Sequence, residues 1–587
     1  FFGVSNFALV ATTDGYFATR TDFNPFTHTW SLAVEEQFYL LFPPLFYLCM
    51  PRGHGQLALR ARWALGVLCV ASLGWCAWVS QHDPASAYYM LPSRFWELGL
   101  GAAAYLAGDA QRQQLAQRLG SERLLAIGLT LIALALAFAD KTAFPFPWAL
   151  PAIAGALAVL VSTADGAYRS RWALAFASRP LVWIGLLSYS LYLWHWPVYT
   201  VMRWTTGIQT LSHGVLAVAA TFLLAGLSYR LVESPAQRNA ALRGLPPWGA
   251  ITAGVGVVVA SWGLAVAVYA RPWVFKQTVV ERNRVDWYSN VGASNQQLRA
   301  SGAGCDVTVV NRKPGVQVLV PFACSSAPAH ADQRLFVAGD SHAGAYGRLL
   351  DLTARVTGIE VWRFSQGGCG LANGVTPRAS LGPACVDFLD SARDAILKVG
   401  RPGDVVLLDA LRVPRFVDQW GPVTPGLPSA GDETAHGLRA QAEREAAEVA
   451  QRFTAAGLKV VFVSPKPMYK APAFRCADWF NAMNPICVPG FAIDKGVMLE
   501  HLRPGQDVVA RIVGATPGAA VWDTLPLLCP AQTCSAWDGT RPVYFDADHL
   551  SGHGNEQLLP DFLQKLDGWL QTPSNSGQAP GARPDKG

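Results

Sequence analysis

The chain has 587 residues, 51% of them hydrophobic and only 15% charged, with a formal net charge of +6. That length exceeds what one compact core sustains, and the charge content falls well below the roughly 25% usual in soluble domains, so a single soluble domain is excluded and at least two unlike domains are expected. The positive charge sits on arginines scattered through short loops, not in basic blocks, which excludes nucleic acid as a partner and points to membrane topology.

The opening stretch FFGVSNFALVA is apolar but has no basic region and no small-residue cleavage site. It reads as the tail of an interrupted helix, and the chain is expected to be truncated at its N-terminus. Spans of about 20 mostly apolar residues follow near 31–50, 62–80, 90–107, 123–139, 147–163, 183–202, 214–232 and 248–270. This predicts about eight membrane helices after the stub, in a membrane domain over 1–271.

The loops between these runs alternate in charge. One set holds Arg52, Arg60, Arg62, Arg112, Arg118, Arg123, Arg169, Arg171, Arg179, Arg230, Arg238 and Arg243, whereas the other holds only Arg20, Lys141 and Arg203. Positively charged loops stay in the cytoplasm. The last span then runs outward, and everything after Arg271 is expected in the periplasm of a multi-pass inner (cytoplasmic) membrane protein.

Cysteine usage agrees. Cys49, Cys69 and Cys76 lie in or beside apolar helices, where a lone cysteine acts as a small hydrophobe. The other eight are all in the second half, and an even number in an exported domain implies disulfides. Among many connectivities, pairing of sequence neighbours is favoured: 305 with 324, 369 with 385, 476 with 487 and 529 with 534. No CxxC pair or histidine cluster supports a zinc site, so no metal is expected.

From about Gln333 short apolar runs alternate with helical stretches: RLFVAG, IEVWRFS, DVVLLDAL, KVVFVSP and AAVWDTL, with long helices near Ala435 to Ala456 and Asn555 to Leu570. The pattern predicts a three-layer α/β domain over 333–571 with a mainly parallel sheet. Residues 272–332 are expected to form an irregular linker and 572–587 a disordered tail.

Function in such a sheet sits at the carboxyl ends of the strands. There the stretch VAGDSHAGAY presents Ser341, although Asp340 and Ser341 also suit a helix cap. Two hundred residues later YFDADHLSGHG supplies Asp546 and His549, three apart, a spacing that aims a carboxylate and an imidazole at one place. Asp548 and His553 are alternatives for these roles.

GDSH with a late D-x-x-H resembles the SGNH hydrolase superfamily. The resemblance implies Ser341 as nucleophile, His549 as base and Asp546 as its partner. It also implies an oxyanion hole that uses the Ser341 N–H and a glycine of FSQGGCG, Gly368 with Gly367 as the alternative. The asparagine expected in the third block is not evident in LLDALRVPRF, where Arg412 either lines the cleft or is a surface residue.

NPFTHTWSLAVEEQFYLLFPPLF, with SRFWELGLGA, SYSLYLWHWPV and YRLVESPAQR, resembles the membrane acyltransferase 3 family. Fusion of that family to a C-terminal SGNH domain is the arrangement of bacterial O-acetyltransferases that modify lipopolysaccharide O-antigen. Charge inside a bilayer is costly, so Glu35, Glu36, Arg94, Glu97 and His195 are expected to face a polar cavity. Family members carry an arginine and an essential histidine in or near the first membrane helix. Neither His28 nor His195 occupies that position, so the chain as given is expected to lack part of the membrane-side machinery.

Together these readings predict an acyl relay. Acetyl from cytoplasmic acetyl-CoA, with no tightly bound cofactor, crosses at the membrane domain, is held as an ester on Ser341 and passes to a hydroxyl of an envelope polysaccharide, foremost O-antigen. Peptidoglycan or an exopolysaccharide is the alternative acceptor. An esterase that deacylates envelope polysaccharide, and a domain that only binds glycan or a polymerase, are the competing functions.

Overall fold

The computed structural model describes residues 3–12, 21–48, 57–140, 143–163, 171–275, 277–290, 304–325, 330, 332–418, 421–422 and 433–571. Cys49, Arg20, Arg52, Lys141, Arg169 and the tail 572–587 lie outside them. The chain divides into two compact units, Phe1–Val266 and Ala267–Gly587.

In the first unit the stub forms α1 (Ser5–Thr12), and each apolar run forms a helix: α2 (Thr29–Leu48), α3 (Leu57–His82), α4 (Leu91–Leu106), α5 (Ser121–Phe138), α6 (Ala149–Ser162), α7 (Arg179–Trp204), α8 (Leu211–Ser228) and α9 (Pro247–Tyr269). Among the described residues four stretches are both long and apolar enough to cross a membrane: Arg62–His82, Ser121–Phe138, Leu211–Arg238 and Pro247–Tyr269. The others differ for visible reasons. Helix α2 carries Glu35, Glu36 and two internal prolines, α4 is 16 residues long and carries Arg94 and Glu97, α6 is only 14 residues long, and α7 carries Ser188, Ser190, His195 and an internal proline.

Small residues let these helices approach closely. A Cβ built on Gly128 of α5 would lie 2.7 Å from the carbonyl oxygen of Gly155 in α6, and the reciprocal substitution meets the same distance. Helix α8 continues into a π-helical turn, Tyr229–Glu233, inside the YRLVESPAQR stretch.

The second unit is built on a seven-stranded sheet: β1 (Asp306–Lys313), β2 (Val316–Phe322), β3 (Arg334–Gly339), β4 (Glu360–Ser365), β5 (Val405–Asp409), β6 (Lys459–Val463) and β7 (Ala520–Trp522), in the spatial order β1-β2-β4-β3-β5-β6-β7. Strands β4, β3, β5, β6 and β7 run parallel. Alternate side chains feed two cores. Leu335, Val337, Val405, Leu407, Val461 and Val463 point to the face covered by α10 (Gly347–Thr357) and α14 (Gly552–Gln571). Phe336, Ala338, Val406, Leu408, Val460 and Phe462 point to the face covered by α11 (Pro383–Val399), α12 (Glu433–Ala455) and α13 (Lys495–Gly514). Burial on both faces is why these strands read as continuous apolar runs.

The described part of the segment expected to be an irregular linker is instead largely regular. VTVVNRK and VQVLVPF form a hairpin about Gly315 (φ +76°) that extends the sheet in antiparallel fashion. Two helical turns, Val279–Arg282 and Arg284–Trp287, precede it, and the fully buried Trp287 packs edge-on against Trp537 at 5.4 Å. The four disulfides join the neighbours expected from sequence: Cys305–Cys324, Cys369–Cys385, Cys476–Cys487 and Cys529–Cys534. Cys69 and Cys76 are free and buried.

Candidate active site

Strand β3 lies between β4 and β5, so the chain passes to one side of β3 and then to the other, which makes its carboxyl end the switch point of the sheet. Gly339 ends the strand, where a Cβ would stand 1.6 Å from the carbonyl oxygen of Asp409. Only glycine fits there. Asp340 follows as the cap of a short helical turn, its carboxylate accepting the N–H groups of His342 (2.9 Å) and Leu411 (2.8 Å). Capping by Asp340 and presentation of Ser341 thus coexist: the cap fixes the turn on which the serine stands.

The loop before α14 brings its partner. Nε2 of His549 lies 2.8 Å from Oγ of Ser341, and Nδ1 lies 2.8 Å from Oδ2 of Asp546. The other oxygen of Asp546 accepts the N–H groups of Asp548 (3.0 Å) and His549 (2.7 Å), so the tight turn itself orients the carboxylate. All three side chains are buried. His549 is held well above the ordinary histidine value: burial opposes its charge, but the carboxylates of Asp546 and Asp548 outweigh that opposition.

A second layer surrounds this triad, built on Asp548, the alternative carboxylate, with His342 and Arg415, which the sequence did not single out. The ring of His342 stacks on His549 with centroids 4.8 Å apart. Asp548 stands 3.2 Å from Nε2 of His342 and 3.3 Å from Nδ1 of His549, and also accepts from Nε of Arg415. Asp548 is held well below the usual carboxylate range; burial works against its charge, and the two histidines overcome it. The histidine of GDSH was the available signal, since it adjoins the serine.

Other candidates are placed elsewhere. His553 bonds Asp538 at 3.0 Å and is not part of the Ser341 group. Arg412 neither lines a cleft nor lies on the surface: it is buried, donating to the carbonyls of Asn373, Ala410 and Val463. Gly368, exposed and with φ +72°, occupies the third position of a turn closed by a bond from the Cys369 N–H to the Gln366 carbonyl, with Gly367 before it. The Gln366 N–H reaches the Gly339 carbonyl at 3.4 Å, which anchors this turn beside the end of β3.

In the first unit polar bonds tie the first signature stretch to the third and the third to the fourth, while the second meets the first through Arg94 over the Trp30 ring. The hydroxyl of Tyr192 donates to the carbonyl of His28 and meets the hydroxyl of Ser31, while the Trp196 indole donates to the Asn24 carbonyl. His195 lies with its ring 5.5 Å from that of His28 and its Nδ1 2.7 Å from the Tyr192 carbonyl. Arg94 pairs with Glu97 at 2.7 Å and stands over the rings of Trp30, Tyr88 and Phe144 at 5.3, 5.1 and 5.0 Å. Ser190 donates to Glu233 at 2.7 Å. Glu35 is half-buried and Glu36 exposed.

A strand-end serine with its histidine and aspartate, in a chain whose first part is an apolar helical unit, defines the class. Residues 1–230 match the family described as an acyltransferase domain, and residues 312–564 match the SGNH domain that occurs fused to such (AT3) domains. The chain belongs to this fusion: an acyltransferase membrane domain followed by a C-terminal SGNH domain, in a membrane protein. Among curated proteins it is 32% identical over 256 residues to the peptidoglycan O-acetyltransferase OatA of Listeria monocytogenes, covering 41% of this chain and 39% of that one. It is 30% identical over 227 residues to the putative membrane-bound transacylase BcsY of Komagataeibacter xylinus, covering 37% and 53%. Over 248 residues it is 30% identical to the putative peptidoglycan O-acetyltransferase YrhL of Bacillus subtilis, covering 40% and 38%. The matches thus span 38% to 53% of these relatives' lengths. No solved structure matches the chain.

Proposed function

We propose that the protein is an O-acyltransferase that moves an acetyl group from cytoplasmic acetyl-CoA to a hydroxyl of an envelope polysaccharide, through an ester on Ser341. The observation that carries this reading is the 2.8 Å approach of His549 Nε2 to Ser341 Oγ, with Asp546 fixing the opposite side of the ring. His549 takes the serine proton as Oγ attacks the acyl carbonyl, and gives it to the departing group. It then takes the proton of the acceptor hydroxyl, which attacks the ester, and returns that proton to Ser341 Oγ as the serine departs. The Ser341 and Gly368 N–H groups are assigned to the oxyanion.

Transfer is preferred over hydrolysis because the same chain carries an acyltransferase membrane domain, which a simple esterase does not need. In that domain Glu35, Glu36, Arg94 and His195 are assigned to the acyl-handling side. The inner membrane with a periplasmic SGNH domain is the location that the loop charges support. O-antigen is proposed as acceptor on the domain arrangement, and peptidoglycan is the second reading because two of the relatives are named for it.

The test uses the protein in membranes with acetyl-labelled acetyl-CoA and, separately, O-antigen and peptidoglycan. Label on one glycan, absent with Ser341→Ala, supports the reading and names the acceptor. Release of acetate only, unaffected by either glycan, contradicts it in favour of an esterase.

A further inference from the structure

The triad is complete without Asp548, yet Asp548 is the most heavily shared carboxylate of the site. It is 2% exposed and meets His342, His549 and Arg415 from three directions. His342 comes from the turn after β3, Arg415 from the loop after β5, and Asp548 from the loop before α14. The groups that bear on His549 are therefore Asp546 and Asp548 on its own loop, His342 against its face, and Arg415 through Asp548, with the buried phenol of Tyr544 facing Asp548 as well. The ligand atoms of His342, Asp548 and His549 lie within 4.8 Å of one another. Both ring nitrogens of His549 are already engaged by Ser341 and Asp546, so this grouping suits proton handling better than cation binding.

Two carboxylates beside one imidazole create a problem. They favour the imidazolium, and a base that holds its proton too firmly neither accepts the serine proton nor passes one on. A guanidinium on one of the two carboxylates relieves this, because it neutralises part of the charge that His549 senses. Arg415 has that position and no contact with His549 is needed for the effect.

We propose that Asp548 and Arg415 form a positioning pair that sets the basicity of His549, Asp548 raising it and Arg415 lowering it through Asp548. The inference rests on the reading of Ser341 as nucleophile and His549 as base. No bond beyond those of the proposed transfer is made or broken: the proton moves between Ser341 Oγ, His549 Nε2 and the leaving or attacking atom, while Asp548 stays a carboxylate and Arg415 a guanidinium throughout.

The pair makes a prediction of sign that simple structural support does not. The test is the pH dependence of kcat/KM for the full chain with an activated acetyl ester, whose acid limb reports the free base. Asp548→Asn should move that limb down by about one pH unit, and Arg415→Gln should move it up by about half a unit to one. Arg415→Lys should return it towards the parent, and the double variant should follow Asp548→Asn, because Arg415 acts through Asp548. Limbs that shift in the same direction, or slower turnover with an unmoved limb, would overturn the pair. Should Asp548→Asn not accumulate as folded protein, the arginine variants carry the test alone, and an unmoved or lowered limb in Arg415→Gln overturns it. Ser341→Ala measured alongside separates the two ideas: turnover that survives there refutes the nucleophile, whereas lost turnover with unmoved limbs refutes only the pair.

Discussion

Nε2 of His549 lies 2.8 Å from Oγ of Ser341 across 208 positions of sequence. Two local devices produce that meeting. Gly339 and the Asp340 cap fix the serine at the end of β3, and the Asp546 turn, which accepts two N–H groups of its own loop, fixes the histidine. Neither device depends on the other, so each can be broken separately.

Gly339→Ala breaks the first. The added methyl carbon would lie 1.6 Å from the Asp409 carbonyl oxygen, a clash with backbone that no rotamer relieves. A loss above about 4 kcal/mol is expected, in the range that marks severe core disruption. Thermal melting of the purified chain checks this, and a variant as stable as the parent would contradict the close β3–β5 approach.

Protonation of His549 gives a dependence on pH with a defined sign. Its folded-state value lies above the ordinary one, despite burial, because of Asp546 and Asp548. The stabilisation it contributes is therefore complete below about pH 6.5, the unfolded value, and is lost as pH rises through the raised folded value. Activity runs the other way, since the base must be neutral: kcat/KM should rise with pH along a limb lying above about 6.5. His549→Gln should abolish the limb along with most of the rate.

Beneath the site Lys466 and Asp409 form a buried ion pair, and Lys466 also reaches the hydroxyl of Tyr346 at 3.1 Å. The phenol of Tyr346 is pushed well above its ordinary value, by burial first and by Asp409 second. Lys466→Met leaves the Asp409 charge unpaired and should cost about 3–5 kcal/mol, while pairing it with Asp409→Leu should recover much of the loss. Denaturant midpoints of the three variants test the order.

The Cys369–Cys385 disulfide closes a segment with a sequence separation of 16 next to the Gln366–Cys369 turn. Replacing both cysteines by serine should cost about 3 kcal/mol by loop entropy. The rate should also fall, because the turn bearing Gly368 loses its covalent anchor. Unchanged turnover in the folded double variant would remove Gly368 from the oxyanion assignment.

Much of this was legible in the sequence, and the exceptions have physical causes. The five parallel strands were visible because burial on both faces makes them continuous apolar runs, as in VVLLD, which is buried throughout. Ser341, Asp546 and His549 were visible because a strand-end serine and a three-residue spacing are local patterns. The disulfides followed from sequence proximity. The hairpin β1–β2 was obscured because it is an edge element with a largely exposed first strand, so its alternation is weak. Arg412 was misplaced because its burial depends on carbonyls of two distant segments, at Asn373 and Val463, besides the nearby one of Ala410. Arg415 and His342 gained their meaning only when the fold brought Asp548 between them, a long-range event without a local signature.

The most direct test of the central claim is mass analysis of the peptide containing Ser341, taken from the full chain during turnover of an activated acetyl ester with glycan withheld. The account predicts one acetyl group on Ser341, discharged when glycan is added and accumulating no adduct in Ser341→Ala. Acetylated glycan formed at the parent rate by Ser341→Ala, or an adduct on another residue that turns over in its place, would contradict it.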